Sequence, residues 1–147
     1  MQTPIISLCL PTNGIIEWVF PVLDSIYNQN VDNALFEVVV TNNGDNDKFD
    51  EMMTEYAGRH PNLIYKKTNA YMFYNQLEAL KLASGTYLKF VNHRAAFTEG
   101  ALMQLIHVIK ENAEKKPVLY FGNGVFKQDR YELQSFDAFV RELRRYA

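Results

Sequence analysis

The chain has 147 residues, 48% of them hydrophobic, and a formal net charge of −2 at pH 7. This length predicts a single domain, residues 1–147, that is large enough to bury a core, and the composition excludes a disordered chain. The scattered basic residues argue against a nucleic-acid surface but leave room for a local phosphate site.

Short apolar runs alternate with amphipathic segments along the chain. The runs predict strands at residues 5–10, 36–41, 63–67, 87–91 and 118–121. The amphipathic segments predict helices at residues 15–28, 49–59, 71–83, 99–115 and 136–146. Pro21 is expected to kink the first helix or to mark the first turn of its main part, and Thr98 to cap the long fourth helix. This alternation predicts an α/β fold with a mainly parallel central sheet and helices on both faces.

Cysteine content and hydropathy indicate the compartment. The single cysteine, Cys9, lies in an apolar run and cannot form an internal disulfide, so a buried thiol in a reducing compartment is expected. No apolar run reaches the about 18 residues of a membrane span, and the N-terminus lacks a signal-peptide pattern. We therefore expect a cytoplasmic protein.

Polar turns follow three of the predicted strands, at residues 11–14, 42–47 and 92–96. Ligands of parallel sheets bind beyond the carboxyl ends of the strands, so we expect these turns to meet at one cleft. Thr12 and Asn13 are suited to contact a base or ribose, as are Asn69 and Tyr71 after the third strand; a plain loop role stays open for each. The rest of the aromatic cluster at residues 71–74 is expected to pack rather than to bind.

The same segments resemble family 2 glycosyltransferases. SLCLPTN at residues 7–13 resembles the family's opening strand, which usually ends in PTYN, and FEVVVTNNG at residues 36–44 is similar to a strand that normally runs into DDGS. LKLASGTYL at residues 80–88 matches the A-x-G-x-Y approach to the fourth strand, and FVNHR at residues 90–94 occupies the place of the Asp-x-Asp motif. The resemblance covers roughly residues 5–121 and implies a Rossmann-like GT-A fold, a nucleotide-diphosphate sugar donor and a saccharide acceptor hydroxyl.

The resemblance also suggests site residues and a biological setting. It implies nucleotide binding by Pro11, Thr12, Asn13, Asn42, Asn43 and Asn69. It implies diphosphate binding by Asn92, His93 and Arg94. The family's catalytic base normally lies beyond the Asp-x-Asp region, so no catalytic residue is assigned, and the acceptor-binding region is expected to be missing or truncated. The expected activity is sugar transfer in cell-surface polysaccharide synthesis.

Departures from the family pattern affect the metal site. The acidic pair after the second strand is Asn42-Asn43 here, and the Asp-x-Asp motif is degenerate, ending in Arg94. A guanidinium has no lone pair with which to bind a cation, so Mn²⁺ or Mg²⁺ is disfavoured, although Asp45 and Asp47 leave a cation site open. Our hypothesis is that Arg94, aided by His93, replaces the metal through charge-assisted hydrogen bonds to the diphosphate.

Other interpretations remain open at this stage. The lost acids also fit a catalytically degenerate module that holds a nucleotide-sugar or serves as a scaffold, and residues 92–94 also fit a simple surface turn. A sugar nucleotidyltransferase is disfavoured because residues 11–14 are not a Gly-rich, Arg-containing loop.

An exposed sheet edge would favour homo-oligomers. A terminal stripe, Phe136, Phe139, Val140 and Leu143, beside Arg141, Arg144 and Arg145, is typical of core or interface and permits peripheral association with the inner membrane face.

Overall fold

The structure, a computed structural model, describes residues 3–120 and 132–144. The chain divides into two compact units, one up to Lys115 and one from Lys116 onwards. The first unit contains strands β1 to β4, at Ile6–Thr12, Phe36–Asn42, Leu63–Lys67 and Tyr87–Phe90. Its helices α1 to α4 are Ile16–Tyr27, Asp47–Arg59, Tyr74–Leu82 and Ala101–Glu111. The second unit contains helix α5, Phe136–Arg144.

The four strands form one sheet in the order β3-β2-β1-β4, and all neighbouring pairs are parallel. The predicted α/β fold with a parallel sheet is therefore confirmed. After β1 the chain moves outward through β2 and β3 and then crosses back to place β4 on the other side of β1. Such a reversal of strand order is where ligands bind in open α/β sheets.

Helices cover both faces of this sheet. On one face, the Tyr27 ring of α1 lies 5.8 Å from the Phe36 ring, and the Phe49 ring of α2 lies 6.3 Å from that of Tyr65. On the other face, Ala79 of α3 packs against Cys9 and Val39, which are partners in the β1–β2 register. Since side chains alternate along a strand, these two sets lie on opposite faces, as predicted.

Burial separates the central strands from the edge strands. All of β2 and all of β1 except Pro11 are buried, which explains their almost continuous apolar sequences. In β4, by contrast, Leu88 is 50% and Phe90 46% exposed. Both lie on the α3 face of the sheet, because Phe90 is in register with Cys9. The core is therefore centred on β1 and β2.

Cys9 has the buried environment that the sequence predicts. Its side chain is 0% exposed. Burial, and to a smaller extent the charge of Glu37, raises the pKa of the Cys9 thiol to about 11. The thiol is therefore protonated at neutral pH and acts as part of the core.

Several predicted boundaries were wrong. Residues 118–120 do not form a strand, and Val118 is 96% exposed; Phe121 lies outside the described residues. Helix α3 begins at Tyr74, because Met72 has a φ of 44° that a helix cannot continue through. Helix α4 begins after Gly100, with a φ of 76°, and not at Thr98, and it ends at Glu111.

Pro21 lies inside α1, which starts at Ile16 and continues to Tyr27, so this proline does not mark the first helical turn. Among the described residues, no helix is both long and apolar enough to cross a bilayer. Arg145, the last of the predicted basic residues beside the terminal stripe, lies outside the described residues.

Candidate functional site

An open cleft of about 820 Å³ lies at the carboxyl ends of the strands in the first unit. Its lining includes seven of the predicted site residues: Pro11, Thr12, Asn13, Asn43, Asn69, His93 and Arg94. The turns after β1, β2 and β4 thus meet at one rim of the sheet, as the sequence predicted. The volume lies within the range of about 300–1,000 Å³ that small-molecule and cofactor sites occupy.

The turn after β1 is joined directly to the turn after β4. Thr12, at the end of β1, is 4% exposed, and its Oγ1 accepts a hydrogen bond of 3.2 Å from the Gly14 amide. The same oxygen is hydrogen-bonded to His93 Nδ1 at 3.0 Å. This contact connects residues 81 positions apart and fixes the His93 ring at the reversal of strand order.

Trp18, in the first turn of α1, contacts both His93 and Arg94, which follow β4. Its ring lies edge-to-face with His93, with 5.2 Å between centroids. Arg94 Cζ lies 3.8 Å from the Trp18 ring centroid, within cation–π distance. Burial, and then the neighbouring charge of Arg94, lowers the pKa of His93 below its usual value. His93 is therefore neutral at pH 7, and Arg94 carries the positive charge on this side of the cleft.

Asn42 and Asn43, at the carboxyl end of β2, have different positions. Asn42 is 0% exposed and does not line the cleft. Its Nδ2 donates to Asp50 Oδ1 at 2.7 Å and its Oδ1 accepts from the Gly44 amide at 2.8 Å. Asn43 lines the cleft, and its Nδ2 donates to the Ala70 carbonyl at 2.9 Å. Among the described residues none donates to Asn43 Oδ1, which leaves an acceptor for a ligand.

Asn75 is a site residue that the sequence analysis missed. It is 3% exposed, and its Nδ2 donates to the carbonyls of Thr12 and Thr41 at 3.1 and 3.0 Å. Its Oδ1 accepts from Thr68 Oγ1 at 2.9 Å, and its carbonyl accepts from Thr41 Oγ1 at 3.1 Å. One side chain therefore holds the ends of β1 and β2 together with the loop after β3. A lone asparagine near a helix start gives no sequence signal for this role.

Two other predicted residues lie at the edges of the site. Asn69 is exposed and lines the cleft. Asn92 does not line it; instead its Oδ1 accepts from the Arg94 amide at 2.9 Å and shapes the turn that presents Arg94.

The aromatic cluster at residues 71–74 is exposed. Tyr71 is 73%, Met72 62% and Phe73 75% exposed, and all three line the cleft. Tyr74 is 65% exposed. The prediction that the cluster packs was therefore wrong, and its first three residues give the cleft an apolar rim.

The side chains in the cleft do not suit a divalent cation. Asp45 is the one carboxylate among the described lining residues, and no group of three histidine, cysteine or acidic residues in the described ranges is arranged as a metal site. Asp47 lies in the first turn of α2 and not in the lining. The Arg94 guanidinium in the same lining has no lone pair to offer a cation.

Comparison with known proteins agrees with this architecture. The family described as Glycosyl transferase family 2 matches residues 7–145. GgaB, a minor teichoic acid biosynthesis protein of Bacillus subtilis (strain 168), is 23% identical over 124 residues, which are 80% of this chain and 14% of GgaB. The chain thus spans about a seventh of the length of this relative.

Solved structures of other proteins have a similar fold. TarS 1–349 of S. aureus superposes with a TM-score of 0.65 at 22% identity, over 74% of this chain and 33% of that one; TarS 1–349 has also been solved with UDP-GlcNAc. The mannosyltransferase PcManGT of Pyrobaculum calidifontis, solved with GDP-Man and Mn²⁺, superposes with a TM-score of 0.62 at 22% identity, over 76% of this chain and 33% of that one. With its parallel sheet, its cleft at the strand reversal and a family match over residues 7–145, the chain belongs to glycosyl transferase family 2.

Proposed function

We propose that residues 1–147 form the nucleotide-sugar-binding domain of a glycosyltransferase that moves a sugar from a nucleotide-diphosphate sugar to an acceptor hydroxyl. The observation that carries this proposal is the meeting of Thr12, Asn43 and Arg94 in one cleft at the reversal of strand order. The similar structures hold UDP-GlcNAc and GDP-Man, which are therefore the first donors to test. Similarity to a teichoic acid biosynthesis protein favours a cell-surface polysaccharide as product.

The nucleoside end of the donor is assigned to the turns after β1 and β2. Asn43 offers Oδ1 as an acceptor because its Nδ2 already donates to Ala70. That oxygen suits the ring N–H of a uracil or guanine base. Pro11 and Asn13 line the same wall, and Asn69 lies on the loop after β3. Asn42 stabilises the turn after β2 through its hydrogen bonds to Asp50 and Gly44.

The diphosphate end is assigned to the turn after β4. The departing diphosphate gains negative charge as the sugar bond breaks, and a preorganised cation stabilises that charge. Arg94 can donate two parallel hydrogen bonds to phosphate oxygens. His93, neutral at pH 7, contributes a ring N–H and no charge. In this proposal Arg94 supplies the charge that a divalent cation supplies elsewhere in the family.

Calorimetric titration of the full chain tests the proposal. The ligands are UDP, GDP, ADP and TDP, each with Mn²⁺ or with EDTA. We expect one base to be preferred and its affinity to be unchanged by EDTA. Binding that requires Mn²⁺ would contradict the role of Arg94 and direct attention to Asp45. Lys89→Ala is the matched control, since Lys89 is exposed on β4 and does not line the cleft.

A catalytically degenerate scaffold is the second candidate. Replacement of several acidic residues favours it, because Asn42 and Arg94 both stand where the family has carboxylates. A folded chain that binds none of the four diphosphates would support this candidate over the first.

Two kinds of association extend the proposal. In the second unit, α5 carries Phe136, Phe139 and Val140 beside Arg141 and Arg144, which suits weak binding to an anionic inner membrane face. In the first unit, β4 ends the described sheet and exposes Leu88 and Phe90, which suits self-association. Vesicle co-sedimentation and light scattering test these two proposals separately.

A further inference from the structure

We propose that Trp18 is a positioning residue that holds the Arg94 guanidinium ready for a phosphate, so that the cleft discriminates between nucleoside diphosphates and monophosphates. The inference rests on the proposed function and adds a residue and a specificity to it. Neither the family pattern nor the polar turns single out Trp18, which lies in the first turn of α1.

The Trp18 ring, on which the Arg94 guanidinium stacks, is held rigidly. Trp18 is next to Val19, which is 0% exposed, and α1 is anchored to the core by that residue and by Val22, Leu23 and Ile26. The Trp18 ring also contacts the His93 ring, which is tied to Thr12 at 3.0 Å. The ring on which Arg94 lies is therefore held by α1 on one side and by the end of β1 on the other.

Arg94 is available for an anion. Its Cζ lies 3.8 Å from the Trp18 ring centroid, and its backbone amide donates to Asn92 Oδ1. No carboxylate in the described ranges pairs with its guanidinium. Stacking engages the face of a guanidinium and leaves its N–H groups, which lie in the plane, free to donate. Trp18 therefore fixes the group without using the donors that a phosphate needs.

Stacking also changes how much freedom Arg94 loses on binding. A free arginine side chain has many rotamers, and ordering them weakens binding. Contact with Trp18 restricts these rotamers before the ligand arrives. A cation–π contact at an exposed site corresponds to about a twofold to fivefold change in affinity. A nucleoside diphosphate benefits from this restriction because its second phosphate is the group assigned to Arg94, whereas a monophosphate does not. This difference is the source of the discrimination.

The test compares UDP with UMP in the full chain, using the ratio of their dissociation constants; GDP and GMP replace them if guanine is preferred. In Trp18→Leu we expect the ratio of UMP to UDP dissociation constants to fall about twofold to fivefold, with UMP affinity nearly unchanged. Trp18→Phe should keep part of the ratio, because phenylalanine retains a ring face. A merely structural role would weaken UDP and UMP equally and would overturn the inference.

A control variant and a double-mutant cycle complete the test. Phe20→Leu removes an aromatic ring from the same helix, one that faces Phe49 and Tyr56 in the core; it should leave the ratio unchanged. Arg94→Gln should lower the ratio, and Trp18→Leu added to it should lower it no further. An additive effect of the two substitutions would contradict action of Trp18 through Arg94.

The lone tryptophan provides a second readout that needs no nucleotide, since the chain contains one tryptophan. If Arg94 covers the Trp18 ring in solution, Arg94→Gln increases quenching of its fluorescence by acrylamide; unchanged quenching would contradict the stack. Failure of the unaltered chain to bind any diphosphate overturns the proposed function together with this inference. Normal UDP binding with an unchanged ratio in Trp18→Leu overturns the inference alone.

Discussion

The turns after β2 and β4 line one cleft but are held in different ways. After β2, the amides of Asn42 and Asn43 are both hydrogen-bonded to protein groups, which fixes the backbone of the turn. After β4, Arg94 makes no ion pair with a described residue and lies on an aromatic ring. The β2 turn therefore provides shape and the β4 turn provides charge.

This difference separates the role of Asn42 from that of Arg94. Asn42 is buried, and its Nδ2 donates to Asp50, which a carboxylate at this position could not do. Burial works against the charge of Asp50, but hydrogen bonds from Lys67, Tyr65 and Asn42 hold its carboxyl pKa below the usual value. Asn42 thus belongs to a satisfied local network, whereas Arg94 lines the cleft.

Removal of the charge after β4 should have the largest effect on function. Arg94→Ala should lower turnover about a hundredfold or more, because one preorganised donor contributes about 2.7–4 kcal/mol to the transition state. Release of UDP from UDP-GlcNAc, or of GDP from GDP-Man, measures it, with Lys89→Ala as the control. The free energy of unfolding should fall by no more than about 0.5–1 kcal/mol, the strength of a cation–π contact at an exposed site. Unchanged turnover, or activity abolished by EDTA, would refute the assignment.

Removal of Asn75 should have the largest effect on stability. Asn75→Ala removes three buried side-chain hydrogen bonds, those to the carbonyls of Thr12 and Thr41 and the one from Thr68 Oγ1, and each such bond contributes about 0.5–1.5 kcal/mol. We expect a loss of about 3 kcal/mol in the free energy of unfolding, measured in urea. Gln76→Ala, on the exposed neighbour, should change it by less than about 0.5 kcal/mol. Equal effects of the two substitutions would show that Asn75 does not hold the strand ends together.

A carboxylate at position 42 should destabilise the β2 turn. Asn42→Asp places a buried carboxylate beside Asp50, for a loss of about 2 kcal/mol at pH 7. The like charge and the burial raise the pKa of the new carboxyl in the folded state, so the loss should shrink as pH falls through that pKa. The double variant with Asp50→Asn should recover most of the stability. It exchanges the amide and the carboxylate of the pair, so that the amide at position 50 can donate to the carboxylate at position 42. Failure to recover would exclude Asp50 as the cause.

The smallest expected effect concerns the protonation of His93. Its pKa should lie below the usual value, because burial and then Arg94 disfavour the imidazolium. Arg94→Gln should raise the pKa only part of the way, since burial remains. Because the unfolded chain takes up this proton more readily, stability should fall as pH falls through about 6.5 toward the folded pKa. NMR titration of the His93 ring measures the shift, and Lys89→Gln controls for removal of a charge outside the cleft.

The sequence predicted features that depend on local composition. β3 was predicted at its observed bounds, and the valine-rich β2 nearly so, because buried parallel strands require continuous apolar runs. The meeting of the turns followed from the parallel topology alone. Residues 118–120 show the limit: their composition suits a strand, but a strand also needs a hydrogen-bonding neighbour, which composition does not specify.

Features that depend on contacts between distant residues could not be predicted. Asn75 and Trp18 act through partners on other elements, and nothing near them in the sequence identifies those partners. The identical side chains of Asn42 and Asn43 could not be assigned to opposite sides of the turn before the strand end was located. The backbone of Met72, which delays the start of α3, likewise has no compositional signal.

The burial of Cys9 has a practical consequence for labelling. Maleimide reagents attack the thiolate, and the only cysteine of the chain is fully enclosed, with a pKa raised to about 11. A cysteine introduced at exposed Asp45 in the cleft lining should therefore react alone in the folded chain, with the native residue left in place. A dye attached there would report occupancy of the cleft without any change to the interior.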